Sequence, residues 1–167
     1  MTTSNEHYTF RELIKRPACF LGLGFGSGLA PKAPGTFGTL AAVPIYLLMQ
    51  DLPLVIYLAL VVIAFIAGIW ICQKSADWLG KEDPGAVVWD EIVGYLITMI
   101  AAPAGWQWLV LGFVLFRFFD ILKPWPINLA DKAIHGGLGI MVDDVIAGIF
   151  ALVCVQWIYY VFPTISW

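Results

Sequence analysis

A chain of 167 residues that is 60% hydrophobic, only 13% charged and has a mean hydropathy of +0.84 is not an ordinary soluble domain, where about a quarter of residues are charged. Its net charge of −3, with no basic stripe, argues against a nucleic-acid partner. Cys19, Cys72 and Cys154 lie in apolar surroundings without CxxC spacing, so they read as packing thiols, not as a zinc centre or disulfide framework.

The first 18 residues are polar and show no secretory signal pattern. Thr9 and Glu12 have capping-box spacing and Pro17 stops the segment, which predicts a short amphipathic helix over 9–16 at a membrane surface; a frayed tail is the plain alternative. Residues 1–21 thus form a cytoplasmic or interfacial arm, and 22–167 one membrane-embedded domain. Gly22, Gly24, Gly26 and Gly28 miss the GxGxxG pattern and read as close-packing positions. Phe37–Met49 is a short apolar run interrupted by Pro44, a candidate re-entrant helix. Leu54–Cys72 is uncharged for 19 residues, about 28 Å of helix, and predicts a full span. A polar connection, Gln73–Pro84, comes next. The uncharged stretch Ile92–Phe116 is broken at Ala102–Gly105, which predicts a hairpin with arms near 86–102 and 105–122. Arg117–Asp144 is a polar island that Pro124, Pro126 and Gly136-Gly137 prevent from being one helix. Val145–Phe162 is the last predicted span.

The fold class expected is all-α: a polytopic membrane helical bundle of about five membrane-embedded helices. With five crossings, the turns at 50–53 and 102–107 and the tail after 162 share one side and contain no Lys or Arg, whereas all nine basic residues fall on the other. Basic residues favour the cytoplasm, so the polar motifs should face it, with Trp106, Trp108 and Trp167 in an aromatic belt on the opposite side.

Taken singly, Asp90-Glu91 and Asp143-Asp144 read as helix N-terminal charges, and Arg117 as a snorkelling anchor. Together they point elsewhere. Two acidic pairs heading two helices, with Arg117 and Asp120 spaced i, i+3 on a third, would meet at one depth on one side. Carboxylates gathered so closely repel, and a divalent cation such as Mg²⁺ resolves the repulsion. Lys32, in the restrained string PKAPGT with Thr36 behind it, suits an anion, though the string is no Walker A loop. His135 before Gly136-Gly137 is a candidate general acid or phosphate contact, against the bland reading of a surface residue. Pro124-Trp125-Pro126 reads as an interfacial turn that positions Lys123.

The strings GFGSGLAPKAPGTFGT, VVWDEIVG, FRFFDILKPWPI and HGGLGIMVDD, in this order, closely resemble the phosphatidylglycerophosphatase A family of bacterial membrane lipid phosphatases. The resemblance covers about residues 22–150. It implies Mg²⁺-dependent hydrolysis of phosphatidylglycerophosphate to phosphatidylglycerol and phosphate, at a cytoplasm-facing site on the inner membrane. Carried onto matching positions, it makes Asp90, Glu91, Asp143, Asp144 and His135 candidate catalytic residues. Lys32, Thr36, Arg117 and Lys123 become candidates for substrate binding, and Asp90, Glu91, Asp120, Asp143 and Asp144 for metal binding. No Cys-x5-Arg, DxD or PSGH string is present, so attack by metal-activated water is preferred and an aspartyl intermediate stays open.

Other readings stand beside this one. A cation transporter would place its acids near mid-membrane, yet the cores 54–72 and 145–162 hold no ionisable group except thiols and tyrosines. A purely structural subunit leaves four polar motifs unexplained. A phosphatase of another lipid phosphate differs only in headgroup, and spacing alone does not read a headgroup. A CDP-alcohol phosphotransferase lacks its acidic motif here.

Overall fold

The computed structural model describes residues 10–162, the Lys132 side chain apart. Among these residues there are helices and turns and no strand, as the composition implies. The chain runs through α1 (Phe10–Ile14), α2 (Pro17–Gly22), a 3-10 turn (Gly24–Leu29), α3 (Pro34–Met49), α4 (Leu54–Leu79), α5 (Trp89–Thr98), α6 (Trp106–Leu122), α7 (Ile127–Ala133) and α8 (Gly136–Val161). Two of these, α4 and α8, are long and apolar enough to cross a membrane. That is fewer than the five embedded helices expected, because α3, α5 and α6 are only 16, 10 and 17 residues long.

The boundaries reflect local chemistry. Proline supplies the first turn of both α2 and α3, where its missing N–H costs nothing. Thr9, the expected cap of a 9–16 helix, lies outside the described residues, and α1 ends before Lys15-Arg16. Gly80, at φ 66°, closes α4 in the left-handed region that glycine adopts at little cost. The polar stretch 73–79 reads as connection in the sequence, but it extends α4 by two turns, because Gln73, Lys74 and Ala76 are good helix formers. At the other end of the molecule, α8 begins directly after His135. Asp143 and Asp144 therefore lie two turns inside α8 and do not head it, a correction to the sequence reading.

α8 is the hub. It packs against α4, α5, α6 and α7, with Met141, Ala147, Ala151 and Val155 fully buried. Where α5 crosses it the backbones nearly touch: a Cβ on Gly148 would lie 2.5 Å from the Gly94 carbonyl oxygen. Small residues permit such approach where lipid offers no hydrophobic drive between helices. Buried polar tips find backbone carbonyls: Tyr57 Oη donates to Leu96 O at 2.7 Å and Trp89 Nε1 to Ala64 O at 3.1 Å. Gly22 and Gly28 likewise sit hard against Ser75 and Ala86, so they are packing positions.

The outward faces of α4 and α6 stay apolar and bare, with Val55 78% and Val114 55% exposed. One end of the bundle gathers Gln50, Leu52, Ala101 and Ala102 around a small cavity, and Gln156 of α8 bonds Ile100 O and Ala101 O there. Trp106 is exposed at this end, whereas Trp108 turns inward against Tyr159 and leaves the expected belt. Trp167 lies outside the described residues.

Candidate active site

At the opposite end the first turn of α5, the last turns of α6, α7 and the second turn of α8 enclose a cavity of about 210 Å³. Asp90 and Glu91 enter from the α5 N-terminus, where acids complement the helix dipole. Asp143 and Asp144 enter from α8, and Asp120 from the end of α6. Oxygens of Asp90, Glu91 and Asp144 lie within 4.8 Å of one another, spacing that one metal ion could bridge. The buried atoms Asp90 Oδ1, Glu91 Oε2, Asp143 Oδ1 and Asp144 Oδ2 have no hydrogen-bond partner. Orphaned carboxylate oxygens in a buried setting are costly, and a hard cation with a preference for oxygen ligands removes that cost.

Two cations organise the remaining acids. Lys123 terminates α6 in the left-handed region, at φ 41° before Pro124, and so its side chain folds back over the cavity. Its Nζ donates to Asp131 Oδ1 at 2.5 Å and to Asp143 Oδ2 at 2.6 Å. Burial alone would lower the Lys123 ammonium, but these two carboxylates outweigh it and hold the pKa above the ordinary lysine range. Arg117 pairs with Asp120 one turn on, and its Nη1 lies 3.7 Å from Glu91 Oε1.

Not every expected residue reaches the cavity wall. Arg117, expected to bind substrate, does not line the cavity; it stands behind Glu91 and Asp120 and faces both. Lys32 is exposed on the loop before α3, and neither it nor Thr36 lines the cavity. The PKAPGT string meets the site through Gly35: a Cβ there would run into Glu91 Oε1 and come within 2.8 Å of Arg117 Nη1. His135 is exposed and lines the cavity from the N-cap position of α8, without a side-chain bond to that helix end. Sequence reasoning missed Asp131, Glu82 and Asp83, which also line the cavity, and Gln73, whose Oε1 accepts from Gly137 N at 2.7 Å and seats the start of α8 on α4. A signal for Asp131 existed in its company with Lys123; nothing local marked Gln73.

A family model described as phosphatidylglycerophosphatase A matches residues 20–159. The chain belongs to the phosphatidylglycerophosphatase A family. A relative named phosphatidylglycerophosphatase A from Escherichia coli (strain K12) is 45% identical over 139 residues, which cover 83% of this chain and 81% of its own. One of the same name from Haemophilus influenzae is 45% identical over 149 residues, 88% of this chain and 91% of its own. A Bacteroides thetaiotaomicron relative, named as a candidate phosphatidylinositol-3-phosphatase, is 42% identical over 153 residues, 85% of this chain and 95% of its own. No solved structure matches the chain. The matched segment contains all the acids and cations that form the cavity, so the site is within the part of this chain that the family shares.

Proposed function

We propose that this chain hydrolyses phosphatidylglycerophosphate to phosphatidylglycerol and inorganic phosphate, with Mg²⁺ held by Asp90, Glu91 and Asp144. The observation that carries the reading is the charge imbalance of the cavity. Among the described side chains, eight carboxylates line it against the single ammonium of Lys123. A phosphomonoester dianion would be repelled from such a wall, so the site works on phosphate only after cations are added. Asp90, Glu91 and Asp144, three of the four orphaned carboxylates, lie close enough together to share one ion, and carboxylate oxygens are ligands that magnesium accepts. When bound, the ion supplies charge neutralisation at the phosphoryl group and lowers the pKa of a coordinated water.

The chain's own residues do the rest. Lys123, fixed by Asp131 and Asp143, presents a point charge to a phosphate oxygen without first having to be ordered. Arg117 is a positioning residue that holds Glu91 and Asp120 in place. Asp143, with one oxygen on Lys123 and the other unpartnered, is placed to take a proton from an attacking water. His135 at the mouth can protonate the departing alkoxide or accompany phosphate outward.

The setting belongs to the same proposal. Some five helices embed in the inner membrane, α3 as a short or re-entrant element, with the cavity on the cytoplasmic side. Its support is the charge asymmetry: the turns at 50–53 and 102–107 lack Lys and Arg, while the cavity end carries the basic residues. A second reading, hydrolysis of a phosphoinositide monoester, draws on the name of the Bacteroides relative. The test is phosphate release by the purified chain in mixed micelles from each lipid in parallel, with and without a chelator. Release from phosphatidylglycerophosphate that stops with chelator and returns with Mg²⁺ is expected. Release undiminished by chelator overturns the metal assignment, and preference for the phosphoinositide overturns the substrate.

A further inference from the structure

The outer side of the cavity's α6–α7 wall is apolar. Along α6, Val110, Val114, Phe118 and Ile121 form a bare stripe at helical spacing, each at least half exposed. The charged residues of that helix, Arg117 and Asp120, turn the other way into the site. Past the break at Lys123 the chain continues the apolar series with Trp125, 77% exposed, and Leu129, 58% exposed. Ile127 between them is fully buried and anchors the segment, and α7 packs on α8. Lys123 and Asp131 of this same segment line the cavity. Thus the segment from Lys123 to Asp131 shows polar groups to the cavity and large apolar groups outward.

We propose that Trp125 and Leu129 form the lipid-side rim of the cavity, inserted among the acyl chains, where they hold the diacylglycerol part of the substrate while its phosphate reaches Lys123. This rests on the lipid-phosphatase reading above and adds the direction from which the substrate arrives. The occupant is hydrocarbon, because the stripe that leads to the rim carries no charge along α6 and belongs to a chain with two membrane-length helices. Tryptophan is suited to the border itself, since its ring is apolar and its N–H is polar.

Two measurements test the rim. In mixed micelles, Trp125→Ala with Leu129→Ala should raise the apparent KM for long-chain phosphatidylglycerophosphate about tenfold or more with kcat little changed, the loss expected when two large apolar contacts are removed. Hydrolysis of a dihexanoyl analogue below its critical micelle concentration should change less than about twofold on the same scale. Equal loss on both substrates means that the residues only support the fold, and no change on either means that they touch no lipid; both outcomes overturn the rim. Independently of activity, Trp125→Cys labelled with an environment-sensitive fluorophore in phosphatidylglycerol-containing vesicles should be quenched by acyl-chain-brominated lipid, and a label at Lys81→Cys should not. Absence of that quenching overturns the rim even if the enzyme proves active, whereas quenching without lipid phosphatase activity overturns only the functional reading.

Discussion

Asp144 is 2% exposed and has an oxygen with no hydrogen-bond partner, an uncommon and costly combination that a bound cation would relieve. Asp90→Asn and Asp144→Asn keep the shape and remove one charge each. Both should fold, and both should lower kcat for lipid-phosphate hydrolysis by about 100-fold or more, the usual scale for deleting one element of transition-state charge stabilisation. Phosphate-release kinetics on the purified variants checks this, and near-wild-type turnover in either would remove that residue from the metal set. Lys123→Met is a different case, because it leaves Asp131 and Asp143 facing each other without their shared cation. A loss of about 1–2 kcal/mol in detergent-solubilised stability is expected, discounted from the fully buried case because Asp131 is partly exposed. Lys123→Arg should retain much of that stability. These pairings were only half legible in the sequence. The acids and cations stood out as a polar island in an apolar chain, but their partners depend on a left-handed residue at 123 and on where α8 starts, neither of which spacing reveals.

Between elements, the contact that matters most is the crossing of α5 on α8. Because Gly148 lies against the Gly94 backbone, the register of these two helices sets the separation of Asp90 and Glu91 from Asp144. Gly148→Ala should cost about 1–3 kcal/mol by overpacking and should weaken metal binding more than the lost stability alone accounts for. Gly85→Ala, at a position with open space around it, should stay within about 0.5 kcal/mol of the parent. Thermal melts with and without Mg²⁺ separate the two effects. The hairpin of α5 and α6 was legible from Ala102–Gly105, and α6 begins at Trp106, within one residue of expectation. The reach of α4 and the early start of α8 were not. Polar residues at 73–79 and the pair Gly136-Gly137 resemble loop chemistry, yet Gln73 ties the two helix ends together across 64 positions of sequence. Long-range ties of that kind leave no local trace.

For the molecule as a whole, a cation that binds only the folded state stabilises it by mass action. Saturating Mg²⁺, at about 100 times its dissociation constant, should raise stability by about 2.7 kcal/mol, and Asp144→Asn should abolish the gain. Differential scanning fluorimetry in detergent measures this without any substrate, and an equal shift in the variant would place the ion elsewhere. The composition made the all-helical class and the polar end legible from the start, because so few charges are present and all the basic ones fall in a few segments. It did not reveal that α8 would be the hub, since its hydropathy resembles that of α4, of which far less is buried. The position of the cavity at one extremity of that hub has a further consequence for turnover. With the cavity at the headgroup border, as proposed, hydrolysis there would generate one small ion and one fat of reduced charge where two solvents meet. Each dissolves where the other does not, so in that setting the two products would part into different phases.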